Sequence, residues 1–183
     1  MPIAISNIMD EKTVMGAAGF KWYAIYVRSR HEGVAYGQLQ KKGVESYLPL
    51  IKRNRQWKDR KKVVEFPLFP GYLFVRVNPN PSEFVNVLKA RGVVSLVSGQ
   101  QGVPLAVPDN EIDSLKLMVE KGSGLDIYPA LKEGVRVMVM RGPLSGASGV
   151  IVKKEDCYML IVNIDILGRS IGVKVPAEDI EMV

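Results

Sequence analysis

Apolar and polar residues follow two different rhythms along this chain, and the change comes at Gly122-Ser123-Gly124. Before that step, runs suited to buried strands alternate with stretches of helical period. Trp22 to Val27 is apolar and aromatic, fit for a strand covered on both faces. Ser29 and Glu32 stand at capping-box spacing, which predicts a helix from about Arg30 to Lys42, packing through Val34, Ala35 and Leu39 and stopped by Gly43. Val44 to Leu50 reads as a strand. Strand-like alternation on either side of Gln56–Asp59 predicts a long hairpin with its tip there. Asn78 to Pro81 is a turn, and Ser82 is placed to cap a helix from Glu83 to about Ala90 that packs through Phe84, Val85 and Leu88. Arg91-Gly92 then turns the chain into a strand over Val93–Val97. The order strand, helix, strand, strand, helix, strand is the split βαβ arrangement. Pro104 and Pro108 mark a surface crossing. Asp109, Glu111 and Asp113 then favour a helix start, with Ile112, Leu115, Met118 and Val119 as an apolar stripe closing on the sheet and Gly122 as its end.

After that step the period shortens. Val135, Val137 and Val139 alternate with Arg136, Met138 and Met140, and strands are predicted at Val150–Lys153, Tyr158–Ile164, Ser170–Val175 and Ile180–Val183. Five short strands in so small a span fit an SH3-like barrel. The glycine-rich loop at Gly142–Gly149 lacks the Lys-Ser/Thr ending and following helix of a phosphate cradle, so it reads as a tight barrel turn. The expected fold class is α+β. Residues 1–19 form a mobile tail, 20–121 a split βαβ (ferredoxin-like) domain, 122–130 a flexible linker and 131–183 the barrel.

One stretch does not fit routine core. In Phe66-Pro67-Leu68-Phe69-Pro70-Gly71-Tyr72-Leu73-Phe74-Val75, both prolines remove backbone donors, so a regular paired strand is not expected to pass through them. From Gly71 onward, Tyr72 and Phe74 fall on one face of a strand and Leu73 and Val75 on the other. One face serves the core; the other is expected to remain an apolar surface awaiting a partner.

Composition narrows the function. Cys157 is the only cysteine, which excludes an internal disulfide framework and a cysteine-cluster zinc site, and with His31 the only histidine nothing in the composition resembles a histidine-ligated metal site or a Ser/His/Asp triad. No cofactor and no catalytic residue is expected. Residues 1–19 have neither the basic start nor the unbroken apolar run of a signal peptide, and no window reaches a membrane span, so a cytoplasmic protein is expected. Net charge is +6, yet residues 20–121 carry 17 Lys and Arg against 9 Asp and Glu, and the segments on either side are each slightly acidic. That asymmetry points to a polyanion partner for the basic block. Arg30, Lys41 and Lys42 around the first helix face solvent or a polyanion. In the hairpin, Arg55, Lys58, Arg60 and Lys61 either follow phosphates with Trp57 stacking on a base, or form a solvated surface with Trp57 packed on lysine stems.

Lys21-Trp22-Tyr23-Ala24-Ile25-Tyr26, Leu68 to Val75 and Arg91-Gly92-Val93 resemble the amino-terminal domain of NusG-type transcription factors. Gly134 to Val137, Gly142 to Ile151 and Leu167-Gly168-Arg169 resemble their KOW domain. The resemblance runs from about Phe20 to Val183. It implies a non-enzymatic, monomeric factor that binds the clamp helices of the largest RNA polymerase subunit and suppresses pausing and termination. Matching residue by residue nominates Tyr26, Phe69, Pro70, Tyr72 and Phe74 for the clamp face. Trp22 and Tyr23 also match but suit a buried strand equally. Arg28, Arg30 and Arg91 would face upstream or non-template DNA, and the KOW barrel would recruit a ribosomal protein or the termination factor Rho. The Pro67–Val75 stretch and the short helix-to-strand spacing at Arg30–Leu50 lean toward specialised antiterminators of the RfaH kind. Glu83-Phe84-Val85-Asn86 stands where RfaH has His-Thr-Thr-Thr, and the Val, Ile and Gly content of 134–175 predicts a permanent barrel. Two other classes remain open at this point. One is a KOW-containing RNA-binding or ribosome-assembly protein; the other is an enzyme, for which Asp156, Cys157 and His31 offer no matched pair.

Overall fold

The computed structural model describes residues 19–57, 60–99, 102–122, 124–129, 134–154 and 157–183, with backbone alone at 54–57, 60, 61 and 154. Residues 1–18 of the expected tail and the tip residues Lys58 and Asp59 lie outside this set. The first domain runs β1 (Lys21–Val27), α1 (Glu32–Lys41), β2 (Glu45–Tyr47), β3 (Leu50–Trp57), β4 (Arg60–Pro67), β5 (Tyr72–Val77), α2 (Pro81–Leu88), β6 (Val93–Leu96), β7 (Ala106–Val107) and α3 (Asp109–Lys121). Its sheet has the antiparallel order β2–β5–β1–β6, which is the split βαβ topology, and β7 adds a short pairing to Trp22 and Tyr23 within the expected surface crossing. β3 and β4 form a separate two-stranded hairpin, in register from Leu50 opposite Pro67 to Trp57 opposite Arg60. Pro67 is thus the last residue of a paired strand, which its missing N–H permits because both hairpin strands are edges.

Strand alternation sorts the side chains of β1 and β5 between two cores. Tyr23, Ile25, Val27, Leu73, Val75 and Val77 pack with Ala35 and Leu39 of α1 and Val87 of α2. Trp22, Ala24 and Phe74 point the opposite way, into a core shared with Leu68, Phe69 and the buried side of α3, namely Ile112, Leu115 and Met118. Lys116 of α3 sits with its Nζ 4.6 Å from the Trp22 ring centroid, holding the helix across that end of the sheet.

Several local expectations are corrected, each for a backbone reason. α1 begins at Glu32 because Arg30 has φ +61, a left-handed conformation no helical residue can hold. The helix has no side-chain cap; the Glu32 carboxylate instead accepts the Gly71 N–H at 2.9 Å. Val34 faces solvent. The expected strand over Val44–Leu50 is broken between Tyr47 and Leu50, where Pro49 cannot donate to a ladder and its carbonyl accepts the Leu68 N–H at 2.8 Å. α2 is capped by Asn80, whose Oδ1 accepts from the Glu83 N–H at 2.9 Å and from the Ser82 hydroxyl at 2.7 Å, with Pro81 in the first turn where its missing N–H costs nothing. It packs through Phe84 and Val87, leaving Val85 and Leu88 exposed.

The remainder is all β. β8 (Asp126–Pro129), β9 (Val135–Val139), β10 (Ser148–Lys154), β11 (Cys157–Ile164), β12 (Arg169–Val175) and β13 (Ile180–Met182) form one antiparallel sheet in the order β13–β9–β10–β11–β12–β8. β8 pairs with β12, so the second half of the expected linker is an edge strand of this sheet, and the connector shrinks to residues 122–125. The expected strands agree closely with β9 to β13. The barrel is seated on α3: the Ser148 N–H donates to Ser114 Oγ at 2.9 Å, and the barrel residues Leu144, Ala147, Leu160 and Ile164 belong to the same core as Ile112 and Leu115.

Candidate docking face and basic corner

The Pro70-Gly71 step is a turn built from its two residues. The Tyr72 N–H donates to the Phe69 carbonyl at 3.0 Å, closing a four-residue turn with proline second and glycine third, and Gly71 has φ +84. This fits a type II turn, in which the third position favours glycine. The turn is pinned from two sides. The Val27 N–H donates to the Gly71 carbonyl at 2.8 Å, and buried Glu32 accepts the Gly71 N–H. Nothing in the sequence marks Glu32 for this task; its capping-box spacing conceals this other use.

Where the turn enters β5, Tyr72 is paired across the sheet with Tyr26, their ring centroids 5.4 Å apart. Both rings continue the sheet face that carries Trp22, Ala24 and Phe74, but they lie beyond the part of it that α3 covers. Tyr26 is 42% exposed, Tyr72 is half-buried, and Pro70 is exposed. Phe69 and Phe74 differ. Both are fully buried, edge to face at 6.4 Å, with Phe74 stacked on Tyr47 at the same distance. The apolar face expected to stand open is therefore closed at Phe69 and Phe74, which belong to the core that α3 shares, and is exposed or half-buried at Tyr26, Pro70 and Tyr72. Tyr47 is half-buried against the Phe74 ring; its burial and, after it, the charge of Glu120 raise its phenol far above the ordinary range.

A basic corner adjoins the tyrosine pair. Arg28 follows directly from β1, and its N–H donates to the Gly92 carbonyl at 2.9 Å, which brings it beside Arg91. The left-handed Arg30 belongs to the same turn, and its neighbour His31 packs on Gly92, where a Cβ would stand 3.2 Å from that of His31. Arg28, Arg30 and Arg91 are all exposed. Lys41 and Lys42 lie at the other end of α1, about 15 Å away for a helix of this length. Lys42 is also engaged, its Nζ donating to the Asn86 carbonyl at 2.9 Å and side-chain oxygen at 3.2 Å, so it ties α1 to α2. The side chains of Arg55, Trp57, Lys58, Arg60 and Lys61 lie outside the described residues. A cleft of about 730 Å³ separates the hairpin base from the end of α3 and the connector. Lys52 and Arg53 face Glu120 and Asp126 across it, a mixed lining that favours neither sign of ligand.

Among the described residues, no three His, Cys, Asp or Glu side chains converge as metal ligands, and no helix is long and apolar enough to cross a membrane. A protein-family model described as NusG, transcription termination factor nusG, matches residues 20–116. The chain is 27% identical over 165 residues to the transcription termination/antitermination protein NusG of Chlamydia pneumoniae, covering 84% of this chain and 90% of that protein. It is 27% identical over 175 residues to the protein of the same name from Bacillus subtilis, covering 87% and 97%. A solved structure of Thermotoga maritima NusG, described by its domain interaction, is similar at 24% identity with a TM-score of 0.47, covering 92% of this chain and 99% of that one.

Proposed function

The chain belongs to the NusG family of transcription termination and antitermination factors, which are not enzymes, and from that premise we propose that it docks on RNA polymerase through the Tyr26–Tyr72 end of its sheet. The observation that carries this reading is an aromatic pair left partly exposed on a sheet face whose other aromatics are buried, beside a corner of three exposed arginines. Tyr26, Pro70 and Tyr72 meet the clamp helices of the largest subunit, and Phe69 and Phe74 form the floor that holds them in place. Docking suppresses pausing and termination. Arg28, Arg30 and Arg91, with the basic hairpin, lie along upstream or non-template DNA and contribute a salt-sensitive share of affinity. The barrel recruits a second partner, a ribosomal protein or Rho. Within the family, the Pro67–Val75 stretch supports a specialised, operon-restricted factor of the RfaH kind; uniform occupancy of transcribed genes would overturn that placement.

The test is in vitro transcription on templates carrying pauses and terminators, with and without the protein. Read-through is expected to rise with the wild type and to return to baseline with Tyr26→Ala plus Tyr72→Ala. Removing two central aromatics is expected to weaken retention by polymerase by at least about 30-fold. Unchanged retention by a variant with native circular dichroism would remove these tyrosines from the interface.

A further inference from the structure

Where α3 meets the barrel, a carboxylate lies in a place that disfavours its charge. Glu111, in the first turn of α3, has its Oε2 buried with no hydrogen-bond partner. Across the contact stands Asp165, in the short 3-10 turn between β11 and β12, whose backbone supplies a hydrogen bond while its side chain supplies a second negative charge. We propose that docking of the barrel on α3 is proton-linked: Glu111 takes up a proton as the two domains close and releases it as they part.

The other charged groups do not offset this arrangement. β1 contributes Lys21, beside Trp22 at the end that pairs with β7; its side chain is exposed and falls on the sheet face opposite Trp22. β10 contributes Lys153 and Lys154, which lie roughly 17–20 Å along the strand from Ser148, where β10 touches α3. β11 has no charged side chain, its titratable groups being Cys157 and Tyr158; β12 opens with Arg169, and α3 itself carries Asp109, Asp113 and Lys116 near Glu111. None of these cations pairs with Glu111 among the described residues, and Lys116 is directed over Trp22. The helix N-terminus favours the ionised carboxylate, as does the hydrogen bond from Asp165. Burial and, after it, the Asp165 charge outweigh both, and hold the docked Glu111 up at about 7.

The sign follows from where the proton is held. With the domains apart, Glu111 is a solvated carboxylate near its ordinary 4.5. Between that value and 7 the docked form binds more protons, so docking strengthens as pH falls and levels off above about 8. From pH 8 to pH 6 the docking constant rises about tenfold.

The test uses the full chain. Side-chain carboxyl NMR follows Glu111 directly, and hydrogen exchange at the Ser148 amide, corrected for its intrinsic pH dependence, reports the opening equilibrium. Expected are a Glu111 midpoint near 7 and about tenfold less Ser148 protection at pH 8 than at pH 6. Glu111→Gln, close in shape to the protonated acid, is expected to keep the pH 6 level of protection at both values. A Glu111 midpoint in the ordinary carboxylate range overturns the proposal, as does pH-dependent protection that persists in Glu111→Gln.

Discussion

At the scale of single residues, Glu32 decides the shape of the candidate docking face without belonging to it. Its buried carboxylate is the acceptor for the Gly71 N–H, and that bond fixes the turn from which Tyr72 emerges. Glu32→Ala leaves a buried donor unpaired and is expected to cost about 1–3 kcal/mol in chemical denaturation, whereas Glu32→Gln keeps an acceptor and costs less. Gly71→Ala adds a strained φ and a Cβ 3.2 Å from the Tyr26 ring, so it is expected to destabilise the same turn. The Pro-Gly turn itself is readable in the sequence, because a proline followed by glycine specifies its backbone. The use of Glu32 is not, since a carboxylate at capping spacing is equally suited to the local helix and to a partner 39 residues away.

At the scale of elements, alternation along β1 and β5 correctly places Tyr72 and Phe74 on one face and Leu73 and Val75 on the other. It does not say how far α3 extends over that face, which depends on helix placement rather than strand period. The consequence separates two aromatics that look equivalent in sequence. Phe74→Ala is expected to lose about 3–5 kcal/mol of stability as a core cavity, measured by urea unfolding. The Tyr26 and Tyr72 substitutions are expected to act chiefly on polymerase retention. An unfolding midpoint for Phe74→Ala equal to that of the wild type would show that its burial contributes nothing. The helix α2 carries a related lesson: Val85 and Leu88 have helical spacing for a core face, but the cap at Asn80 and the Tyr23 ring select Phe84 and Val87 instead.

At the scale of the whole molecule, the confinement of positive charge to residues 20–121 is visible in composition, and the fold gathers part of it into the Arg28, Arg30 and Arg91 corner. Replacing those three by glutamine is expected to reduce the log–log salt slope of DNA binding by roughly 0.7 to 0.9 for each phosphate that is no longer neutralised. An identical slope would place the DNA elsewhere on the basic block. The seating of the barrel on α3 is not visible in the sequence. The apolar stripe of α3 already has a partner in the sheet, and the residues meeting the barrel include Ser114 and Glu111, which look like ordinary solvent-facing positions. The connector adds a kinetic dimension to that seating. With β8 drawn into the barrel sheet, residues 122–125 reach only about 14 Å when extended. A tether this short holds the barrel near α3 at an effective concentration on the order of millimolar. Any outside competitor for that surface must therefore overcome a rival that never diffuses away, so lengthening the leash with a flexible insert should admit competitors at lower dose while every side chain at the seat stays the same.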